Sequence, residues 1–267
     1  MKLEVLLSCM NQDDLTMVEL QKIKSNVLII NQTNKNSYLE ELSDDQTIRM
    51  ISTNSIGLSK SRNLALAHAT GDIGILCDDD VIYYNDYEKI ILNAFSEIED
   101  ADIIIFNIDP INFDGKVKKI TQLRKLPKNK YHSSVRIAFK LEALQRNQLW
   151  FNTDFGAGSK YSSGEESILL RQAQKRGLKI YEYPATIAQV DFSDSTWREG
   201  YNKKYYYDKG AFTAAAYPKI KYIYFIYYVI SLHKEKELSN FQKIKWLLRG
   251  IKGYKLNLNY ASFIKYQ

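Results

Sequence analysis

Three consecutive aspartates, Asp78–Asp80, follow directly on the apolar run "ILC" at 75–77. Carboxylates packed together repel, so the cluster calls for a positive charge among them. A divalent cation with a preference for oxygen, Mg²⁺ or Mn²⁺, supplies it. Such ions bind through one or two carboxylates plus substrate phosphates. On extended backbone, residues two apart point the same way. Asp78 and Asp80 therefore face one site, and Asp79 faces away. The competing reading is a solvated acidic turn, and spacing alone leaves both open.

A second acidic pair, Glu165-Glu166, stands behind the glycine-rich stretch "FGAGSKYSSG" at 155–164. A carboxylate within reach of a hydroxyl can take its proton as the oxygen attacks. The same acids at a helix start would stabilise the helix dipole with no chemistry at all. Gly156, Gly158 and Gly164 permit backbone conformations closed to other residues and would let this loop approach a ligand.

The elements that position these groups alternate. Apolar strands are expected at 3–8, 26–31, 47–52, 72–77, 101–108 and 178–184. Helices are expected at 17–24, 59–70, 86–98 and 164–177. Strands apolar throughout, interleaved with helices, imply a mainly parallel sheet covered on both faces. Ligands of such sheets sit beyond the carboxyl ends of the strands, where the aspartates fall. Residues 109–163 read as loops with short β-like pieces.

The 267 residues suffice for one large α/β domain with an appendage. Cys9 and Cys77 offer no disulfide framework, which suits a reducing compartment. The first apolar stretch, 3–7, is short for a secretory leader and contains Glu4. The net charge of +6 is uneven: residues 203–267 carry 13 Lys and Arg against 3 Asp and Glu, and 11 of the 20 tyrosines. We expect one domain over 1–202 and a basic, aromatic helical extension over 203–267.

The stretch "GLSKSRNLALAHATGDIGILCDDDV" at 57–81 resembles the signature of family 2 glycosyltransferases. That pattern is G-x-S-x-x-R-N, a helix, G-D, an apolar strand and an aspartate cluster containing D-x-D. Gly57, Ser59, Arg62, Asn63, Gly71, Asp72 and Asp78–Asp80 occupy it here. The resemblance implies the GT-A nucleotide-binding fold and inverting transfer from a nucleotide sugar. It implies Mn²⁺ or Mg²⁺ on Asp80, with Asp78 on the ribose or the metal and Asp79 on the donor side. Arg62 would order the donor loop or meet phosphate oxygens, a role compatible with a structural ion pair to an aspartate. Ser8 and Asn11 would join the donor pocket, as would Asn31, which stands where members often carry a base-reading aspartate. Glu166 matches the position of the catalytic base, with Glu165 as the alternative. Members often place a metal-ligating histidine in a later polar loop. "VDFSDSTWREGY" at 190–201 has none, so Asp191 or Asp194 would substitute, and Trp197 would stack on a sugar or fill the core.

Two readings of the tail stand side by side. In "FQKIKWLLRGIKG" (241–253), Phe241, Ile244, Leu247, Leu248 and Ile251 share an arc of about 120°, flanked by Lys245, Arg249 and Lys252. That helix would rest on an anionic membrane or pack on the domain. The resemblance favours the membrane, with a lipid-linked saccharide acceptor in bacterial surface polysaccharide synthesis and a cytoplasmic enzyme at the inner face of the plasma membrane. A UDP-linked donor is the first expectation, and no nucleic-acid partner is expected. The rival classes are a nucleic-acid-binding protein using the tail, a metal-dependent nucleotidyltransferase and a catalytically dead scaffold. The first leaves 57–81 unexplained. The second lacks a basic loop after the first strand.

Overall fold

The computed structural model describes residues 1–43, 45–113, 115, 117–128, 130, 132–193, 200–230 and 238–266. In chain order the elements are β1 (Leu3–Met10), α1 (Thr16–Leu20), β2 (Asn26–Gln32), β3 (Ser37–Leu42), β4 (Thr47–Thr53), α2 (Leu58–His68), β5 (Ile73–Asp78), β6 (Val81–Tyr83), α3 (Tyr87–Glu97) and β7 (Ile103–Ile111). There follow β8 (Arg124–Lys125), a 3₁₀ turn at Ser134–Arg136, β9 (Ile137–Lys140), α4 (Leu141–Arg146), α5 (Glu165–Lys175), β10 (Ile180–Asp191), α6 (Lys203–Ala216), α7 (Lys221–Ile230), α8 (Asn240–Lys255) and α9 (Tyr260–Tyr266).

The strands form one sheet in the order β3-β4-β2-β1-β5-β9-β7-β10-β6, with β8 beside β10. β1 pairs in parallel with β2 and β5, and β7 pairs in parallel with β10. The short strand β9 is inserted between β5 and β7, antiparallel to both. The sheet is thus mixed and mainly parallel, as expected. Side chains alternate across it. Val5, Leu7 and Cys9 of β1 face the core layer of α1 and α3, while Leu6 faces that of α2, α4 and α5.

Departures from the expected elements have local causes. α1 stops at Leu20 because Lys22 turns left-handed at φ 56°. Glycine usually marks such a stop, so none was visible. The strand expected to end at Pro184 continues to Asp191, its register with β7 slipping between Glu182 and Thr186. Proline is tolerated where the ladder is interrupted. The edge strand β3 is exposed along its whole length, and its Tyr38, Leu39 and Leu42 do not alternate as a half-buried strand would.

The C-terminal helices close a third cluster around Phe155, Tyr161 and Ile168. α6 and α8 touch backbone to backbone. A Cβ on Gly210 would strike the Leu247 carbonyl, and one on Gly250 would strike that of Tyr207. α8 therefore buries Lys243, Trp246, Leu247, Gly250, Ile251 and Gly253. This corrects the arc expected to lie on a membrane: Leu247 and Ile251 are packed inside, while Phe241 and Leu248 remain exposed. Among the described residues no helix is long and apolar enough to cross a membrane.

Candidate active site

β1 and β5 end side by side, with Ser8 paired to Asp78. The aspartate cluster lies at that carboxyl edge. α2 starts beside it and carries Arg62 inward, leaving its side chain 1% exposed. A buried guanidinium requires partners, because an unpaired buried charge costs several kcal/mol. Arg62 has three. Its Nη2 donates to both Asp78 oxygens at 3.0 and 3.1 Å, and its Nη1 to Glu165 Oε1 at 3.1 Å and Glu166 Oε1 at 3.3 Å. Burial alone would lower the Arg62 pKa; Asp78, Glu166 and Glu165 more than reverse this and hold it above its usual value. The two acidic motifs meet on one side chain.

The rest of the G-x-S-x-x-R-N motif clamps the glycine-rich loop to the donor side. Gly57 sits at φ 129°, a conformation that favours glycine. Its N–H donates to Gln32 Oε1 at 2.6 Å, and Leu58 N–H to the Ala157 carbonyl at 2.9 Å. Ser59 Oγ donates to the Phe155 carbonyl at 2.6 Å. Asn63 holds the Phe151 backbone in both directions, at 2.9 and 2.8 Å. Gly156, Gly158 and Gly164 all have positive φ. At Gly156 a Cβ would press on Ser59 and Glu165, and at Gly164 on Phe212. Gly156 and Gly164 thus serve the packing of the loop within the protein.

The two acidic groups differ in their surroundings. Glu165 is buried, and its carboxyl is pushed up to about 8, first by burial and then by Glu166, against the pull of Arg62. Its Oε2 has no hydrogen-bond partner. Asp80 is pushed up to about 7 by burial and by Asp78 and Asp79. Its Oδ1 is likewise buried and without a partner. Asp79 is exposed, in the turn that follows β5.

An oxygen aimed into the protein with nothing to accept from is a fitting ligand for a hard cation. The described residues contain no cluster of three or more His, Cys, Asp or Glu that would form a complete cage. The arrangement suits an ion held by Asp80 and Asp78, with the remaining ligands supplied by a diphosphate and water.

Other expected site residues fall nearby with different tasks. Ser8 is buried and accepts from Ser61 Oγ at 2.8 Å. Asn11 is exposed, with φ 52°. Asn31 is buried, and its amide is occupied: Oδ1 accepts from Gln12 N–H at 3.0 Å, while Nδ2 donates to the Gln12 carbonyl at 2.7 Å and to Ser52 at 3.2 Å. It holds the loop after β1, which corrects the expectation that its amide reads a base. Asp191 N–H donates to the Asp80 carbonyl at 3.0 Å, and its carboxylate accepts from Asn112 and Ser193. Asp194 and Trp197 lie outside the described residues.

Sequence reasoning missed three contacts to this site. Ser134 Oγ donates to Asp78 Oδ2 at 3.1 Å, Gln21 donates to the Asp78 carbonyl at 2.8 Å, and Gln32 holds Gly57. Each comes from a different segment, and no motif links them.

The sequence model of glycosyl transferase family 2 matches residues 3–165. The chain belongs to that family. The match runs from β1 through the donor motif to Glu165. A search of the curated proteins finds no match. Among solved structures, this family 2 chain is similar to Staphylococcus aureus TarS 1–349, with 13% identity, a TM-score of 0.57 and coverage of 97% of this chain and 93% of that one. The same protein in complex with UDP-GlcNAc gives 14%, 0.57, 98% and 77%. The mannosyltransferase PcManGT from Pyrobaculum calidifontis, in complex with GDP-Man and Mn²⁺, gives 12%, 0.52, 99% and 78%. At such identities the likeness establishes a shared GT-A fold.

Proposed function

We propose that the protein is an inverting, metal-dependent glycosyltransferase. It moves a hexosyl or N-acetylhexosaminyl group from a nucleoside-diphosphate sugar, UDP-linked in the first instance, to a saccharide acceptor. The observation that carries this reading is Arg62, which joins Asp78 of the donor motif to Glu166, 104 positions along the chain from Arg62 itself. The relatives in fold support it, since TarS is seen with UDP-GlcNAc and PcManGT with GDP-Man and Mn²⁺.

Asp80, through its unpartnered oxygen, and Asp78 would hold the cation beside the donor diphosphate. When bound, such an ion neutralises the charge that develops on the leaving diphosphate. Glu166 accepts the proton of the acceptor hydroxyl while that oxygen forms its bond to the anomeric carbon. The bond from the anomeric carbon to the phosphate oxygen breaks, and the nucleoside diphosphate departs with the electron pair. Burial and the neighbouring Glu166 raise the Glu165 carboxyl, which favours its protonated form in the fold. Ser8, Asn11 and Asp79 border the donor pocket. The transferase unit spans 1–202, and 203–267 is an extension.

The acceptor is placed on a lipid carrier in bacterial surface polysaccharide synthesis, with the enzyme at the inner face of the plasma membrane. The basic composition of 203–267 supports that placement.

The test is a hydrolysis screen of nucleotide sugars with and without Mn²⁺. Nucleoside diphosphate should be released from one donor class, only with the metal. Asp80→Ala should lower that release about a hundredfold or more, the scale expected for lost stabilisation of a leaving group. Release that ignores both metal and Asp80 would refute the reading.

A further inference from the structure

α7 is the least enclosed helix of the extension. None of its described side chains is fully buried. Tyr222, Ile223, Ile226 and Tyr227 are 54%, 65%, 56% and 62% exposed. Their spacing puts them on one face. The preceding turn adds Ile220, 40% exposed. A monomer in water seldom leaves such a stripe uncovered.

Cations surround the base of this helix. On one side lies a groove of about 340 Å³ lined by Lys128, Arg171, Gln174, Lys175, Ile220 and Tyr224. Lys219 is close enough for its charge, with that of Arg171, to push the Lys175 ammonium down, after the larger effect of burial. On the other side Lys221 and Lys255 line a second cavity of about 430 Å³ with Asp154 and Tyr254. Other lysines have settled partners: Lys119 pairs with Asp109, Lys179 with Asp100 and Lys204 with Asp208. No salt bridge among the described residues involves Lys128, Lys175 or Lys219. Lys128, Lys175 and Lys219 thus gather positive charge beside the helix, a field that favours an anion.

We propose that the exposed face of α7, with its collar of Lys128, Arg171, Lys175, Lys219 and Lys221, is a docking surface for an anionic lipid bilayer. The apolar stripe enters the boundary between headgroups and acyl chains, where the tyrosine hydroxyls stay hydrated. The lysines meet lipid phosphates, an attraction that weakens with salt. The mixture of apolar stripe and basic rim decides the occupant. A nucleic acid would use the cations and leave Ile223 and Ile226 in water; a second copy of this basic chain would bring cations against cations. Asp154, on the lining of the second cavity, belongs to the loop that leads to Gly156 and Glu165. A bilayer on α7 would therefore lie alongside the acceptor loop. This surface rests on the membrane placement proposed above, and replaces α8 by α7 as its contact.

The experiment is co-sedimentation of the full chain with phosphatidylcholine vesicles and with phosphatidylglycerol–phosphatidylcholine vesicles, alongside sizing in solution and metal-dependent donor hydrolysis. The wild type should bind the anionic vesicles and barely the neutral ones. Ile223→Asp with Ile226→Asp should lower that binding about tenfold or more. Lys128→Glu with Lys175→Glu should do the same. Both variants change exposed or groove positions, and both should keep the unfolding midpoint and donor hydrolysis of the wild type. Vesicle binding that survives the isoleucine changes overturns the proposal. So does wild-type indifference to anionic lipid, or a response to the isoleucine variant seen only as a change from dimer to monomer. Asp80→Ala should still bind vesicles. A wild-type chain that binds anionic vesicles but hydrolyses no donor sinks the transferase reading and leaves this surface standing.

Discussion

Two charge clusters in this protein invert one another, each built on one buried charged group. Around Arg62 one cation meets three carboxylates, Asp78, Glu165 and Glu166. Around Glu182 one carboxylate, fully buried, meets Arg124, Lys130 and His132. The second cluster is complete. Glu182 Oε2 accepts from Arg124 at 2.6 Å, and Oε1 from Lys130 and His132. Its work is to fasten the segment that carries Ser134 to β10. The first cluster is incomplete. Arg62 Nε, Glu165 Oε2 and nearby Asp80 Oδ1 are buried without partners, and negative charge is in excess. A network that closes on itself is structural; one left open and negative suits a cation, as the proposed function requires.

The largest effect that would break this contrast is on turnover. Glu166→Gln should lower kcat by about 10²–10⁴, the range for a lost general base. Donor binding should persist, because the amide keeps the shape and Arg62 keeps Asp78. Single-turnover transfer at saturating donor measures it. Full activity would shift the base to Glu165 and leave the open cluster without its assigned task.

The next effect separates stability from chemistry. Removing one member of a buried ion pair costs about 3–5 kcal/mol. Glu182→Gln should show a smaller loss in denaturant unfolding, because Arg124 and Lys130 reach water, with kcat per folded molecule unchanged. Arg62→Met should lose stability and turnover together, since it frees both the donor aspartate and the base. A Glu182 variant that is stable but slow would mean that the segment bearing Ser134 serves the chemistry directly.

These two clusters were unequally legible. The donor motif is contiguous, so the order of Gly57, Arg62 and Asp78–Asp80 could be read along one line. That Arg62 would also collect Glu165 and Glu166 was not visible, because only the fold brings α2 and α5 together. The Glu182 cluster draws on positions 124, 130, 132 and 182 in three separate segments, and no spacing announces it. β9 was lost for a related reason: "IAFK" is too short to show a period, and the sheet alone makes it a strand. On α8 the hydrophobic pattern pointed to Phe241, Ile244, Leu247, Leu248 and Ile251; Leu247 and Ile251 are buried but Phe241 and Leu248 are not, because Gly250 and Gly253 set the buried face by letting α6 approach. Periodicity gives glycine no weight in choosing a face.

The smallest effect is the most discriminating, because the clusters should respond to pH with opposite sign. The Glu165 carboxyl, raised to about 8 in the fold, contributes stability that is fully present below its usual 4.5 and is lost as pH rises through about 8. His132 behaves conversely. Burial, with Arg136 adding to it, lowers its imidazole from 6.5 to about 4, against the pull of Glu182. The unfolded chain then binds a proton that the folded chain refuses, so stability falls as pH drops from about 6.5 to about 4. Glu182 reinforces this: burial would raise it, but Lys130, Arg124 and His132 hold it at about 2. Its contribution is present above 4.5 and is lost as pH falls toward 2. Thermal unfolding across this range should show His132→Gln flattening the acid limb alone and Glu165→Gln flattening the alkaline limb alone. If either substitution flattened both limbs, the two clusters would be one coupled network, and the division between a finished cluster and an open one would fail.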